Sequence, residues 1–279
     1  MPRVPLDRRT LLALSLLGAS LGPALSACGD DGGVDQSTES GTRVIRYGDD
    51  PSQFAELTVP DSGPGQAPRG VVVVIHGGFW RAEFGIEYAR PLVPSLVAAG
   101  WAAYAIEYRR VGNGGGTPET FDDVAAAIDA LADQGLDLST VVTVGHSAGG
   151  HLAVWAAGRE DPAVAITAAI SQAGVLDLVG ASRAGLGGGA VEALLGHPAG
   201  PEDATYDPLQ QAPLQVPVIC VHGRGDDIVP IEQSRTYVDA ATAAGATAEL
   251  VEIDGAHFVV IDPGSDVWAT QVDLLDRFG

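Results

Sequence analysis

The sequence predicts a mostly parallel, doubly wound α/β sheet, and three observations predict it. Short β-branched runs alternate with helical patterns through most of the chain. Gly70-Val71-Val72-Val73-Val74-Ile75 is an unbroken apolar run, as expected of a strand buried on both faces of a parallel sheet. Another run, Thr140 to Val144, passes directly into Gly145-His146-Ser147-Ala148-Gly149 and an alanine-rich helix. That puts G-x-S-x-G in a strand–turn–helix setting.

The chain of 279 residues is long enough for one sizeable core, and 46% of it is hydrophobic. Residues 1–27 read as an export signal of the lipoprotein type. Arg3, Arg8 and Arg9 form a basic start, Leu11 to Leu25 an apolar stretch, and Leu25-Ser26-Ala27-Cys28 resembles a lipobox with Cys28 as the lipidated residue. Arg8-Arg9-Thr10-Leu11-Leu12 also resembles a twin-arginine signal. The apolar stretch is short for a membrane span and broken by Gly22-Pro23. Residues 28–41 are rich in Gly, Asp, Ser and Thr and read as a flexible tether.

The folded domain is expected over residues 42–279. Arg43 to Tyr47 and Phe54 to Val59 pattern as two antiparallel strands around an Asp49-Asp50-Pro51-Ser52 turn. After the Val71 run, a helical stretch runs from Ile86 to Ala98, disturbed by Pro91 and Pro94. Trp101 to Glu107 is the next strand. Thr117 to Asp133 is helical, with Phe121, Val124, Ile128 and Leu131 on one stripe. Ala148 to Gly158 follows the serine as a helix, then Ala163 to Ser171 as a strand. Residues 175–214 break the rhythm with glycines, prolines and a short helix, Ala190 to Leu195, and are expected to form a small cap-like insert. Val216 to Val221 and Ala248 to Ile253 are the last strands. Ile231 to Ala244 is the helix between them, and Val267 to Phe278 the helix that closes the chain.

Small residues at 145 and 149 let the chain turn sharply about Ser147 and lift its hydroxyl over a helix N-terminus. A serine nucleophile needs a base and an orienting acid, and in such sheets they follow in the order serine, acid, histidine. Asp226 and Asp227 follow the strand ending at Val221. Both could cap the next helix, and Asp226 has the better spacing from the Ile228-Val229-Pro230 turn. His257 lies after the final strand and is the expected base. His151 is expected to pack or be solvated, His197 lies in the insert, and His222 is expected to bond local backbone. Backbone donors for an oxyanion are expected at Ala148 and at Gly77 and Gly78 of His76-Gly77-Gly78-Phe79-Trp80. His76 would orient that loop. Phe79 and Trp80 would wall a substrate pocket or pack beneath the loop.

Taken together, His76-Gly77-Gly78-Phe79-Trp80, Gly145-His146-Ser147-Ala148-Gly149, Asp226 and Gly255-Ala256-His257 resemble an α/β-hydrolase. The HGG-x-W form is similar to the esterase/kynurenine-formamidase-like branch, related to hormone-sensitive-lipase-type esterases and prolyl-oligopeptidase-like hydrolases. Glu107-Tyr108-Arg109 resembles a strand end of that branch. The resemblance covers about residues 42–279. It implies a carboxylesterase-type serine hydrolase acting on a small-molecule ester. Amide hydrolysis on the same triad, by an aryl-formamidase or a peptidase, is one alternative. A non-catalytic ligand-binding surface lipoprotein is another.

A net charge of −21, with no lysine, argues against nucleic acid or an anionic membrane surface as partner. Membrane contact is expected through the lipid anchor alone. No H-e-x-x-H pattern, paired cysteines or phosphate loop points to a metal or cofactor. The run Gly112 to Gly116 lacks the strand–helix context of a dinucleotide site. Cys220, inside an apolar strand, reads as a buried thiol.

Overall fold

The computed structural model describes residues 41–61 and 67–279. The expected export signal, Cys28 and residues 28–40 of the expected tether lie outside the described residues.

The strand patterns become one eight-stranded sheet. Its strands are β1 (Thr42–Arg46), β2 (Phe54–Thr58), β3 (Val71–Ile75), β4 (Ala102–Ile106), β5 (Val141–His146), β6 (Ala168–Gln172), β7 (Val218–Gly223) and β8 (Ala248–Ile253). They lie in the order β1-β2-β4-β3-β5-β6-β7-β8. β1 and β2 are antiparallel, β2 runs antiparallel to β4, and every pair from β4 to β8 is parallel. β3 and β5 are therefore neighbours at the centre, in register Val71↔Val141 to Ile75↔Gly145. Every residue of β3, β4, β5, β6 and β7 is buried, which is why their sequences run apolar without alternation.

Period-two geometry divides these runs between two cores. Val71, Val73 and Ile75 face a core shared with Phe121, Val124 and Ile128 of α2 (Glu119–Asp129) and Leu152 of α3 (Ala148–Ala157). Val72 and Val74 face the other core, with Leu96 of α1 (Val93–Ala98) and Trp268 of α8 (Asp266–Leu274). Each such Val or Ile, fully buried, contributes about 1.5–3 kcal/mol of transfer free energy. Tyr237 and Ala241 of α7 (Glu232–Ala243) close a third cluster over Cys220, Ala169 and Val154. Burial in that cluster pushes the Cys220 thiol up to about 12, so it is an inert packing group.

Three segments depart from the sequence reading. The stretch expected as one helix from Ile86 to Ala98 is two 3-10 turns, Ile86–Tyr88 and Arg90–Leu92, and then α1. Pro91 and Pro94 stand at first-turn positions, where a missing N–H costs nothing, so each begins a turn instead of extending one. The strand expected from Ala163 starts only at Ala168, because its partner β5 starts at Val141 and offers no earlier ladder. Residues 175–214 hold α5 (Ala190–Leu195) as expected, and two further helices, α4 (Leu178–Arg183) and α6 (Pro208–Gln211). Both extra helices carry readable starts. Asp177 accepts the Gly180 N–H, and Asp207 accepts the Leu209 N–H with Pro208 at the first helical position.

This insert packs against the flank of α2 and α3. Trp155 Nε1 donates to the Thr205 carbonyl at 2.9 Å, and His151 Nε2 bonds the Tyr206 carbonyl at 2.8 Å. His151 is wholly buried, edge-on to Trp80 and Phe121, and burial pulls it down to about 4.

Because an unfolded histidine titrates near 6.5, the unfolded chain binds a proton that folded His151 refuses between about pH 4 and pH 6.5. Stability is therefore highest above that window and falls as the pH drops through it, by about 3 kcal/mol for this one group. His151→Gln, which keeps a donor for the Tyr206 carbonyl, should flatten the pH dependence of the urea midpoint between pH 4 and 6.5. The share due to His146, pulled to about 3 by burial, should remain.

Candidate active site

The site is built on the turn between β5 and α3. Ser147 has φ 56° and ψ −119°, a conformation that L-residues avoid. Its N–H is anchored to the Gln172 carbonyl at 2.8 Å. The turn closes because its flanks carry no side chain. A Cβ on Gly145 would collide with the Gly149 carbonyl, and one on Gly149 with the Ile75 carbonyl. The chain thus passes from strand to helix in one residue, and Ala148 becomes the first residue of α3. Its N–H has no partner in the first helical turn, and the aligned peptide dipoles favour negative charge there.

His257 comes from the loop after β8. Its Nδ1 donates to Asp226 Oδ2 at 2.7 Å, so Nε2 is left with its lone pair. The loops carrying the pair are tied by a Gly225 N–H to Gly255 carbonyl bond of 3.0 Å. Of the two carboxylates left open by the sequence, Asp226 meets the imidazole and Asp227 is exposed. Asp226 Oδ1 accepts the Ile228 and Val229 N–H groups at 2.9 and 2.8 Å, and its side chain is buried. Burial would raise this carboxyl, but hydrogen bonds from His222, His257 and the Val229 N–H outweigh it and hold it well below the usual range.

Two histidines outside the expected set support this pair. His222 bonds the Val229 carbonyl at 2.9 Å, as local backbone bonding predicts, and also stands 3.3 Å from Asp226 Oδ2. His146, the residue before the serine, donates from Nε2 to the His257 carbonyl at 3.0 Å, and the two rings lie 4.5 Å apart. Burial first, and repulsion from His257 second, keep His146 neutral down to about pH 3. The motif position of His146 was visible in the sequence. Its partner, 111 residues away, was not.

The loop after β3 faces the turn. Gly78 has φ 113°, Phe79 φ 53° and Trp80 φ 54°. Among the described residues, the N–H groups of Gly77, Gly78 and Phe79 donate to no protein acceptor, so they are free to bind an anionic oxygen beside Ala148. Behind the loop, the His76 ring stacks on Tyr108 at 4.4 Å, and the Tyr108 hydroxyl donates to the His76 carbonyl at 2.8 Å. His76 Nε2 lies 3.1 Å from Glu107 Oε1, and Arg110 pairs with the same carboxylate. Burial would raise Glu107, but His76, Arg110 and the Ile86 N–H outweigh it and lower it. The Glu107-Tyr108 strand end thus braces the loop from behind.

Gly77, Gly78, Phe79, Phe84, Tyr88, His146, Ser147, Ile228, His257 and Phe258 enclose a cavity of about 90 Å³. Two larger grooves, of about 670 and 650 Å³, are lined by other residues. Phe79 lines the cavity, as one of its two expected roles required. Trp80 does not: it is wholly buried in the core beneath the loop, because its backbone turns the indole toward His151. Phe84, Tyr88, Ile228 and Phe258 were not expected, and only Phe258, directly after His257, had a signal in its position. Gly187 is the insert's contact with this loop. It lies against the Phe79 ring and accepts a hydrogen bond from Arg81.

Among the described residues, one group brings three possible metal ligands together: His197, Glu202 and Asp203, in the insert. His197 and Glu202 are exposed, and His197 Nε2 stands 3.5 Å from Asp203 Oδ1. None of the three lines the cavity around Ser147.

Comparison with known proteins matches residues 57–240 to the BD-FAE family. Esterase LipQ of Mycobacterium tuberculosis is 31% identical in a 231-position alignment that covers 71% of this chain and 52% of that protein. Isoprenylcysteine alpha-carbonyl methylesterase ICME of Arabidopsis thaliana is 27% identical over 76% of this chain and 55% of its own length. The chain therefore spans about half the length of the curated relatives it matches. Esterase 2 of Thermogutta terrifontis, solved with butyrate bound, is 26% identical with a TM-score of 0.68, over 85% of this chain and 92% of that one. The same enzyme has been solved phosphonylated by sarin.

Proposed function

The chain belongs to the BD-FAE family of α/β-hydrolase esterases, and on that premise we propose that it hydrolyses a small carboxylic ester through an acyl-enzyme on Ser147. One observation carries the reading: the imidazole that Asp226 holds at 2.7 Å belongs to a residue lining the same cavity as Ser147. His257 Nε2 takes the proton of Ser147 Oγ as the oxygen attacks the ester carbonyl. The carbonyl oxygen becomes an anion, received by the N–H groups of Gly77, Gly78 and Ala148. Asp226 stabilises the imidazolium and holds its tautomer, and its low pKa keeps it ionised throughout. His257 returns the proton to the departing alcohol oxygen, leaving the acyl group on Ser147. Water then attacks that carbonyl, gives a proton to His257, and the acid leaves as Ser147 recovers its hydrogen.

The cavity is small beside the roughly 300–1,000 Å³ of ordinary ligand clefts, which suits a short acyl group. The butyrate-bound form of the Thermogutta terrifontis esterase supports the same size class.

A fluorophosphonate should add one phosphonyl group per chain to Ser147, with loss of fluoride, and Ser147→Ala should stay at its unmodified mass. Unchanged wild-type mass after long incubation removes the reading. With p-nitrophenyl acetate as substrate, Asp226→Asn should lower kcat by about 10⁴-fold through the wrong histidine tautomer. Asp227→Asn should fall far less, and the reverse ranking would move the acid to Asp227.

We also propose that the protein is exported and anchored by a lipid on Cys28, a reading supported by the basic start, the apolar stretch and Leu25-Ser26-Ala27-Cys28. Acyl chains supply such binding at about 0.8 kcal/mol per buried methylene. Cys28→Ser should leave an unprocessed precursor or a soluble form, read by membrane fractionation. Identical soluble, cleaved species from both chains would make the protein simply secreted.

A further inference from the structure

The two sides of the cavity differ, and the direction of proton return tells them apart. On the reading proposed above, on which this inference rests, His257 protonates the departing alcohol oxygen, so the alcohol half of the ester leaves on the His257 side. Phe258 stands there. Its ring lies 5.2 Å from that of His257 at 78°, and 5.7 Å from that of His146. Ile228, two residues after Asp226, lines the cavity from the acid loop. Phe79, Phe84 and Tyr88 come from the loop after β3 instead. Phe84 sits so close to Gly78 that a Cβ on the glycine would strike it, so this wall stands behind the oxyanion donors. Phe84 and Tyr88 rings are 5.8 Å apart.

Exposure makes the contrast informative. Tyr88 at 40% and Phe258 at 55% are the large hydrophobic side chains left exposed among the described residues, and both line this cavity. Leaving a phenyl ring in water forgoes its burial energy, and two such rings at one mouth mark a surface that something apolar covers. No Asp, Glu, Arg or Lys side chain lines the cavity, and the chain's net charge of −21 disfavours an anionic group beside it.

We propose that Phe258, with Ile228, forms a leaving-group subsite that selects neutral esters of ring-bearing, apolar alcohols, while Phe84 and Tyr88 border a short acyl group. The alcohol's ring lies against the exposed face or edge of Phe258, an arrangement aromatic pairs favour. His146, neutral and bonded to the His257 carbonyl, backs the Phe258 ring and holds the platform beside the base.

The test compares benzyl propionate with ethyl propionate, whose alcohols are similar in basicity, so that intrinsic reactivity does not decide the result. The ratio of their kcat/KM values is independent of the fraction of enzyme that is folded. Wild type should favour the benzyl ester. Phe258→Ala should lower the benzyl-to-ethyl ratio about tenfold, and Phe258→Leu, which keeps bulk without a ring, by less. A wild-type ratio of one or below overturns the proposal, and so does a ratio unchanged in Phe258→Ala. Fluorophosphonate labelling of each protein separates the two readings. A labelled enzyme that turns over neither ester overturns the subsite alone, whereas failure to label removes the serine mechanism beneath it.

Discussion

A serine held at φ 56° between a strand and a helix is the constraint on which the rest of this structure depends. A backbone in that region costs about 1–3 kcal/mol and persists only where the surroundings over-determine it. Here they do. β5 lies between β3 and β6, all three wholly buried. The helix that follows is buried from Ala148 to Ala156, so neither side of the turn can relax without opening a core. The two glycines contribute by absence. Their missing side chains let α3 begin against the carbonyl ends of β3 and β5, where Ser147 stands at the helix N-terminus and next to the Gly77 loop.

The partners of Ser147 reach it on loops, and each loop is tied back to the sheet by a buried polar contact. The His257 loop is tied to the turn by His146, whose proton goes to the His257 carbonyl. The Asp226 loop is tied by His222, which touches both the Val229 carbonyl and Asp226. The donor loop is tied by the Glu107–Arg110–His76 cluster and by the Tyr108 hydroxyl. A half-satisfied buried network would be costly, and these are largely satisfied, so the loops hold one arrangement. Loops carry the side chains gathered around Ser147 while the sheet supplies their rigidity.

Electrostatics follows from the same burial. His146 and His151 are buried, desolvation outweighs the pull of Asp226 on His146, and both stay neutral well into acid. Asp226 is buried with several donors and stays ionised. One environment therefore pushes a carboxylate and a neighbouring imidazole in the same direction on the pH scale for opposite reasons: hydrogen bonding to the charged form in one case, desolvation of it in the other. The acidic surface implied by the net charge contributes little to this, because exposed charges are screened over about 10 Å at moderate salt.

The sequence by itself determined whatever depends on neighbours along the chain. Apolar runs marked the buried strands, since a strand covered on both faces is apolar at most positions and keeps polar residues only where they find hydrogen-bond partners. Gly145, Ser147 and Gly149 marked the turn, since a one-residue change from strand to helix admits only small flanks. Chain order singled out the histidine after β8, and His257 meets Asp226 there. Even the missed helices α4 and α6 carried local caps at Asp177 and Asp207. Tertiary structure decided the rest. Asp226 and Asp227 are adjacent and chemically alike, and which one meets His257 depends on the direction in which the loop after β7 leaves the sheet. Phe79 and Trp80 are adjacent as well, yet one lines the cavity and the other fills the core, because positive φ at both residues turns their side chains apart. Phe84, Tyr88 and Phe258 come together from segments about 170 residues apart in the chain. A one-dimensional pattern records which faces are apolar; it holds no information on the angle at which two distant loops approach, and that angle is what makes a cavity.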